Sequence, residues 1–229
     1  MFITENGAKK IKFKQNIMIH YKPNPATTTL YSSFESVESH CVRFIIAEKL
    51  IPCDVFNIKI EEMPEEILEL NPYQMLPTLY DKGLVLYDLP TILEYLDERF
   101  PFPPLMPVDS ILRAEKRMLL FRFNRAENNW YSLAARILKP KSTHDQNKAR
   151  ILLTSNLIEL VPVFAYKPYF KSNSFGIVDA CLAPVLWRLE KMKIKLPASA
   201  RIILEYSEKL FARKSFHNSL TDAEKEYRK

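Results

Sequence analysis

Four prolines within seven residues, Pro101, Pro103, Pro104 and Pro107, set the outer limits on how this chain can fold. Proline lacks a backbone N–H and fixes φ, so neither a helix nor an interior strand can run through such a cluster. The 229 residues are thereby divided into two stretches, each long enough to bury apolar surface of its own. Before the cluster, strand-like and helix-like patterns alternate. After it, every apolar pattern has helical spacing. The division predicts a basic, flexible tail over 1–27, an α/β domain over 28–104 and an all-helical domain over 105–229.

The first stretch reads in order as a strand over 29–32 and a helix over 39–50 carrying Val42, Ile45, Ile46 and Leu50 at helical spacing. A second strand at 53–58 and an acidic-start helix at 61–70, stopped by Asn71-Pro72, follow. Next comes a hairpin of 76–80 and 84–87 turned by Asp81-Lys82-Gly83. Asp88 is placed to cap a last helix with Pro90 in its first turn and Ile92, Leu93, Leu96 and Phe100 as its buried stripe. The first two strands, joined through a helix, are expected to be parallel, with the hairpin adding an antiparallel half. Beyond the prolines the spacing predicts helices over 111–138, 145–160, 177–193 and 198–211, the third buried and central. Thr221-Asp222-Ala223-Glu224 has the form of a capping box.

Composition excludes several function classes. Hydrophobic residues make up 47% of the chain, enough for a real core, so disorder is excluded. Of the net +6, residues 1–27 carry +4, through Lys9, Lys10, Lys12, Lys14 and Lys22 against Glu5, leaving a nearly neutral body. The tail has no long apolar run and is expected to be neither a secretory signal nor a membrane anchor; Met18 is an alternative start. Only Gly7, Gly83 and Gly176 are glycines, which rules out a phosphate-cradling loop or a dinucleotide fingerprint. Cys41, Cys53 and Cys181 are odd in number and widely spaced, as in a reducing cytosol. His20, His40, His144 and His217 are scattered without metal-ligand spacing. Side by side on a helix, His40 and Cys41 point about 100° apart and make no nucleophilic pair. His40 reads as an ordinary first-turn polar residue and Cys181 as core.

The layout of a small α/β unit, a proline linker and a helical unit resembles the glutathione-transferase superfamily: a thioredoxin-like N-terminal domain followed by an all-helical C-terminal one. Leu76-Pro77-Thr78-Leu79 is similar to the family's segment with a structural cis proline, Pro77 here. Gly176-Ile177-Val178-Asp179 sits where the family carries a helix cap, with Asp179 as its structural acid and glycine in place of Ser/Thr. Within the superfamily the chain resembles the stringent starvation protein A family, RNA-polymerase-associated regulators, from about Leu30 onward. The segments that carry this are VRFIIAEK (42–49), LNPYQMLPT (70–78), EYLDERFPFPPLMPV (94–108), PVFAYKPYF (162–170), VDACLAPVLWRL (178–189) and FHNSLTDAE (216–224).

The resemblance carries expectations about the site. Glu38 falls at the position where related enzymes place a thiol-activating cysteine, and a carboxylate there repels a thiolate; Ser36 and Tyr31 are the remaining candidates for that task. Asp88-Leu89 replaces the pair that holds the γ-glutamyl end of glutathione, and leucine cannot make the bond. Leu76, Pro77 and Asp88 are thus expected to be vestigial glutathione-site positions, with no catalytic residue and no cofactor. Pro101-Phe102-Pro103-Pro104 replaces the family's Pro-His-Pro-Pro polymerase-contacting segment and is the expected partner-binding site. The implied partners are RNA polymerase holoenzyme with its sigma factor, and a second copy of the chain, in the bacterial cytoplasm, with nucleic acid contacted only through polymerase. The rival expectations are a glutathione-dependent transferase or reductase, and a nucleic-acid binder led by the basic tail.

Overall fold

In the computed structural model residues 22–124, 129–164 and 167–228 are described. Strand β1 (Thr28–Ser33), helix α1 (Val37–Glu48), β2 (Cys53–Ile58), α2 (Glu65–Leu70), β3 (Thr78–Asp81), β4 (Leu84–Leu86) and α3 (Leu89–Arg99) follow the expected β-α-β-α-β-β-α order. The sheet order is β2-β1-β3-β4. β1 runs parallel to β2, with Leu30 opposite Val55, and antiparallel to β3, with Leu30 opposite Leu79. Lys82 and Gly83 both take positive φ, 50° and 88°, and close the β3–β4 hairpin in two residues. The basic lysines from Lys9 to Lys14 lie outside the described residues; 24–27 form a turn, and the Thr27 hydroxyl donates to Asp54.

The remainder is helical: α4 (Ser110–Asn124), α5 (Trp130–Leu138), α6 (Thr143–Glu159), α7 (Val161–Phe164), α8 (Ile177–Trp187), α9 (Arg201–Phe211), α10 (Lys214–Ser219) and α11 (Asp222–Lys225). The structure corrects several boundaries. The single helix expected over 111–138 is two, because Asn129 starts a new one: its Oδ1 accepts from the N–H groups of Tyr131 and Ser132. The helix expected over 61–70 breaks at Met63-Pro64, since the residue before proline avoids the α region. The central helix stops at Trp187 rather than continuing to 193. Its end tightens into i→i−3 bonds from Arg188 and Leu189, which turn the Arg188 side chain inward. Helix α10 had no distinct signal.

Every residue of α8 is buried. One apolar cluster runs from Leu30 and Phe44 through Leu96 and Leu105 to Val185 and Phe216, so the core is continuous across the proline cluster. No helix among the described residues is long and apolar enough to cross a membrane.

Charge is buried in that junction. The Glu224 carboxylate is fully enclosed and accepts from Arg43 Nη2 at 2.6 Å, from Arg188 Nη2 and from the Thr221 N–H. Thr221 and Glu224 form the expected capping box of α11. Arg43 also donates to the Ser219 and Ser33 carbonyls and to the Ser32 hydroxyl. Arg188 Nη1 donates to the Pro184 carbonyl and to His40 Nδ1. A guanidinium has no lone pair to accept with, so His40 Nδ1 is the acceptor and Nε2 carries the proton. That proton points at Ser219 Oγ, 2.9 Å away, which in turn donates to the Phe216 carbonyl. His40 is therefore more than an ordinary first-turn polar residue: it stands in the first turn of α1, as expected, and is wholly buried as a link in this chain.

Removing one member of a buried ion cluster strands the others, at about 3–5 kcal/mol. Glu224→Gln is expected to lower the urea midpoint by that equivalent, whereas Glu205→Gln, which loses only an exposed pair with Arg201, leaves it nearly unchanged. Equal effects would contradict the cluster's role. Burial, then the Arg188 and Arg43 charges, push the His40 pKa well below its ordinary 6.5. The unfolded chain takes up that proton below pH 6.5 and the folded chain does not, so stability should fall as pH drops through this range, by up to about 1.4 kcal/mol per pH unit. Urea midpoints at pH 7.5, 6.5 and 5.5 should show a smaller decline for His40→Gln, which can keep both hydrogen bonds; an unchanged decline would contradict this assignment.

Candidate functional site

Two places match the expected site residues. The first is a cleft of about 380 Å³ at the N-terminus of α1, lined among others by Ser36, Glu38, Leu138, Lys191 and Tyr227. Ser36 is the N-cap of α1, its Oγ accepting from the Ser39 N–H at 2.9 Å. Burial raises the Glu38 pKa against the lowering effects of its own backbone N–H, of Arg188 and of Ser36. The residue expected at the thiol-activating position is thus an acid whose proton is held more tightly than usual. It offers no positive charge to a thiolate.

The other candidates lie elsewhere. Tyr31 is wholly buried, stacks on Phe56 at 5.9 Å, and has its pKa raised to about 12, mainly by burial and then by Glu66. Tyr31 does not line the cleft. The Leu76-Pro77 bond is cis, as the resemblance implied. Asp88 Oδ2 accepts from both the N–H and the hydroxyl of Thr91 and serves as the cap of α3. Leu89 is buried in the core. Neither Leu76, Pro77, Asp88 nor Leu89 lines the cleft. Among the described residues no group of His, Cys, Asp and Glu is placed to hold a metal ion. Cys181 is core, as expected; its carbonyl receives the Cys41 thiol at 3.7 Å.

The second place is the proline segment. Pro101 to Pro104 are all exposed, and Phe102 presents 81% of its surface. The Phe102-Pro103 bond is cis. Beneath the segment lies an ion pair that the sequence reading did not single out. Lys49 Nζ meets Asp97 Oδ1 at 2.7 Å, both side chains buried. Lys49 also donates to the Pro103 carbonyl. Asp97 accepts from the Leu105 N–H at 2.8 Å and the Met106 N–H at 3.0 Å. The available signal was an acid beside Leu93 and Leu96 on the apolar face of α3.

Leu105 passes the restraint onward, its carbonyl accepting from the Ile177 N–H at the start of α8. A Cβ on Gly176 would sit 2.9 Å from that same oxygen. Glycine is there because the linker comes so close. It has no side chain with which to cap, so the reciprocal half of the cap does the work: Asp179 Oδ2 accepts from the Gly176 N–H, and Oδ1 from the Phe170 N–H and the Tyr206 hydroxyl. Burial raises the Asp179 pKa, partly countered by these bonds.

Comparison with known proteins agrees with this architecture. Residues 30–104 match the family model described as "Glutathione S-transferase, N-terminal domain". The stringent starvation protein A homolog of Coxiella burnetii is 41% identical over 201 residues, covering 87% of this chain and 94% of that protein. The homolog of Haemophilus ducreyi is 40% identical, covering 84% and 89%. Among solved structures, a ternary complex of BphK, a bacterial glutathione transferase, superposes with a TM-score of 0.76 at 21% identity, covering 86% and 99%. That likeness carries the fold alone. Identity of this extent over nearly the full length of both proteins places the chain in the stringent starvation protein A family, on a glutathione-transferase-like fold.

Proposed function

We propose that the chain is a non-enzymatic regulator that binds bacterial RNA polymerase holoenzyme near its sigma factor and modulates promoter use during starvation or stress. In this reading it works as a cytoplasmic homodimer and meets nucleic acid only through polymerase. The observation that carries the reading is the exposed Pro101–Pro104 segment, fixed from below by Lys49 and Asp97. An aromatic displayed on a stiff support loses little conformational freedom on docking. Phe102 in place of the family's histidine keeps an apolar contact and gives up a charge-assisted one. For the second copy, α4 offers Ile111, Met118 and Phe121 on its exposed surface.

A glutathione-dependent transferase or reductase is the second reading, favoured by the retained cleft and the cis bond before Pro77. The acid at position 38 and the buried Leu89 weigh against it.

Co-purification with its own sigma-containing polymerase separates the two. The full chain should be retained on holoenzyme and should pass through immobilised glutathione. Phe102→Ala should weaken polymerase binding about 10- to 100-fold, as expected for an interface anchor. Retention on glutathione without polymerase binding would refute the regulator reading.

A further inference from the structure

The side-chain amide nitrogen of Asn156, on α6, is shielded from water and donates to nothing. Buried donors are normally satisfied, and one left unmet costs stability. Asn156 lines a pocket of about 150 Å³ that shares no lining residue with the cleft at the N-terminus of α1. Its walls come from three helices. Helix α4 supplies Arg122 and Phe123, α5 supplies Trp130, and α6 supplies Asn156, Glu159 and, just past its end, Leu160. The α6 members are three and four residues apart, the spacing that sets side chains on one helix face.

Phe123 and Trp130 are buried, with ring centroids 4.8 Å apart, so part of the wall is aromatic. Arg122 and Glu159 are exposed, and among the described residues neither meets an opposite charge. A cation, an acid and an unmet donor thus surround one apolar hollow. We infer that this pocket binds a free α-amino acid with an apolar side chain.

The polar groups select a zwitterion. A carboxylate accepts from the Asn156 amide and, in a charge-assisted contact, from the Arg122 guanidinium. An ammonium donates to the Glu159 carboxylate. Asn156 and Glu159 stand one helical turn apart, about 5–6 Å between Cβ atoms. The two charged groups of an α-amino acid share one carbon, and a bend in the Glu159 side chain closes the difference. A simple anion such as phosphate satisfies Arg122 and Asn156 but faces the Glu159 charge. A simple amine satisfies Glu159 and leaves the buried donor unmet. Size limits the rest of the ligand. A cavity of about 150 Å³ takes a molecule of roughly benzene's bulk. That suits a leucine or phenylalanine side chain against Phe123 and Trp130 and is too small for a nucleotide or a tripeptide.

Isothermal titration of the full chain with L-leucine and with L-phenylalanine tests the assignment. At least one should bind. The same amino acid should bind about 10- to 100-fold more weakly as its amide, which lacks the carboxylate, and as its N-acetyl derivative, which lacks the ammonium. Arg122→Met and Glu159→Gln, both at exposed side chains, should each lower the affinity about 10-fold. Asn156→Leu should abolish binding yet melt no lower than the unaltered chain, because it removes a donor that the folded protein leaves unmet. Failure of both amino acids to bind at up to about 10 mM would overturn the site. So would binding indifferent to all three substitutions, or amide and N-acetyl forms that bind as well as the free amino acid.

Discussion

A carboxylate with no exposure to water, on a four-residue helix at the end of the chain, draws together elements far apart in sequence. Glu224 takes one guanidinium from α1 and one from the end of α8, and its own backbone carbonyl receives the Trp187 indole N–H at 2.8 Å. Two arginines facing one acid leave an excess positive charge in the core, and the consequences are visible around it. His40 stays neutral and serves as a hydrogen-bond relay. Glu38, at the edge of the cleft, feels the Arg188 charge. The cost of burying such charges makes them poor general stabilisers, but they tolerate few alternative arrangements. The geometry between the sheet layer and the helices follows from satisfying them.

A second buried ion pair, Lys49–Asp97, does for the linker what Glu224 does for the C-terminus. It holds the chain where the prolines turn it, and through Leu105 it sets how closely the linker approaches α8. Neither Glu224 nor the Lys49–Asp97 pair lines the cleft at the N-terminus of α1. The first-turn position of α1 carries an acid, Asp88 is spent on capping, and Leu89 has joined the core. The proline segment displays Phe102 above the Lys49–Asp97 pair.

Much of this was legible in the sequence where the signal was local. The hairpin turn, the Asp88 cap, the Thr221–Glu224 box and the order of strands and helices all follow from a few neighbouring residues. Boundaries failed where a single polar residue outweighed a periodic pattern, as Asn129 does between α4 and α5 and Pro64 ahead of α2. The buried network was not legible, because Arg43, Arg188 and Glu224 are each unremarkable in their own segments and acquire meaning only when three helices converge. Lys49 and Asp97 were hidden in the same way, and Gly176 looked like a weak cap until the Leu105 carbonyl was seen against it.

The central claim is that the protein meets its partner through the face around Phe102 and not through the cleft at Glu38. Site-specific photo-cross-linking tests it directly, with Phe102→benzoylphenylalanine and Glu38→benzoylphenylalanine placed separately in the full chain mixed with its own polymerase holoenzyme. The account predicts a covalent adduct to a polymerase or sigma subunit from position 102 and none from position 38. An adduct from position 38 alone, or from neither position while the chain still co-purifies with holoenzyme, would contradict it.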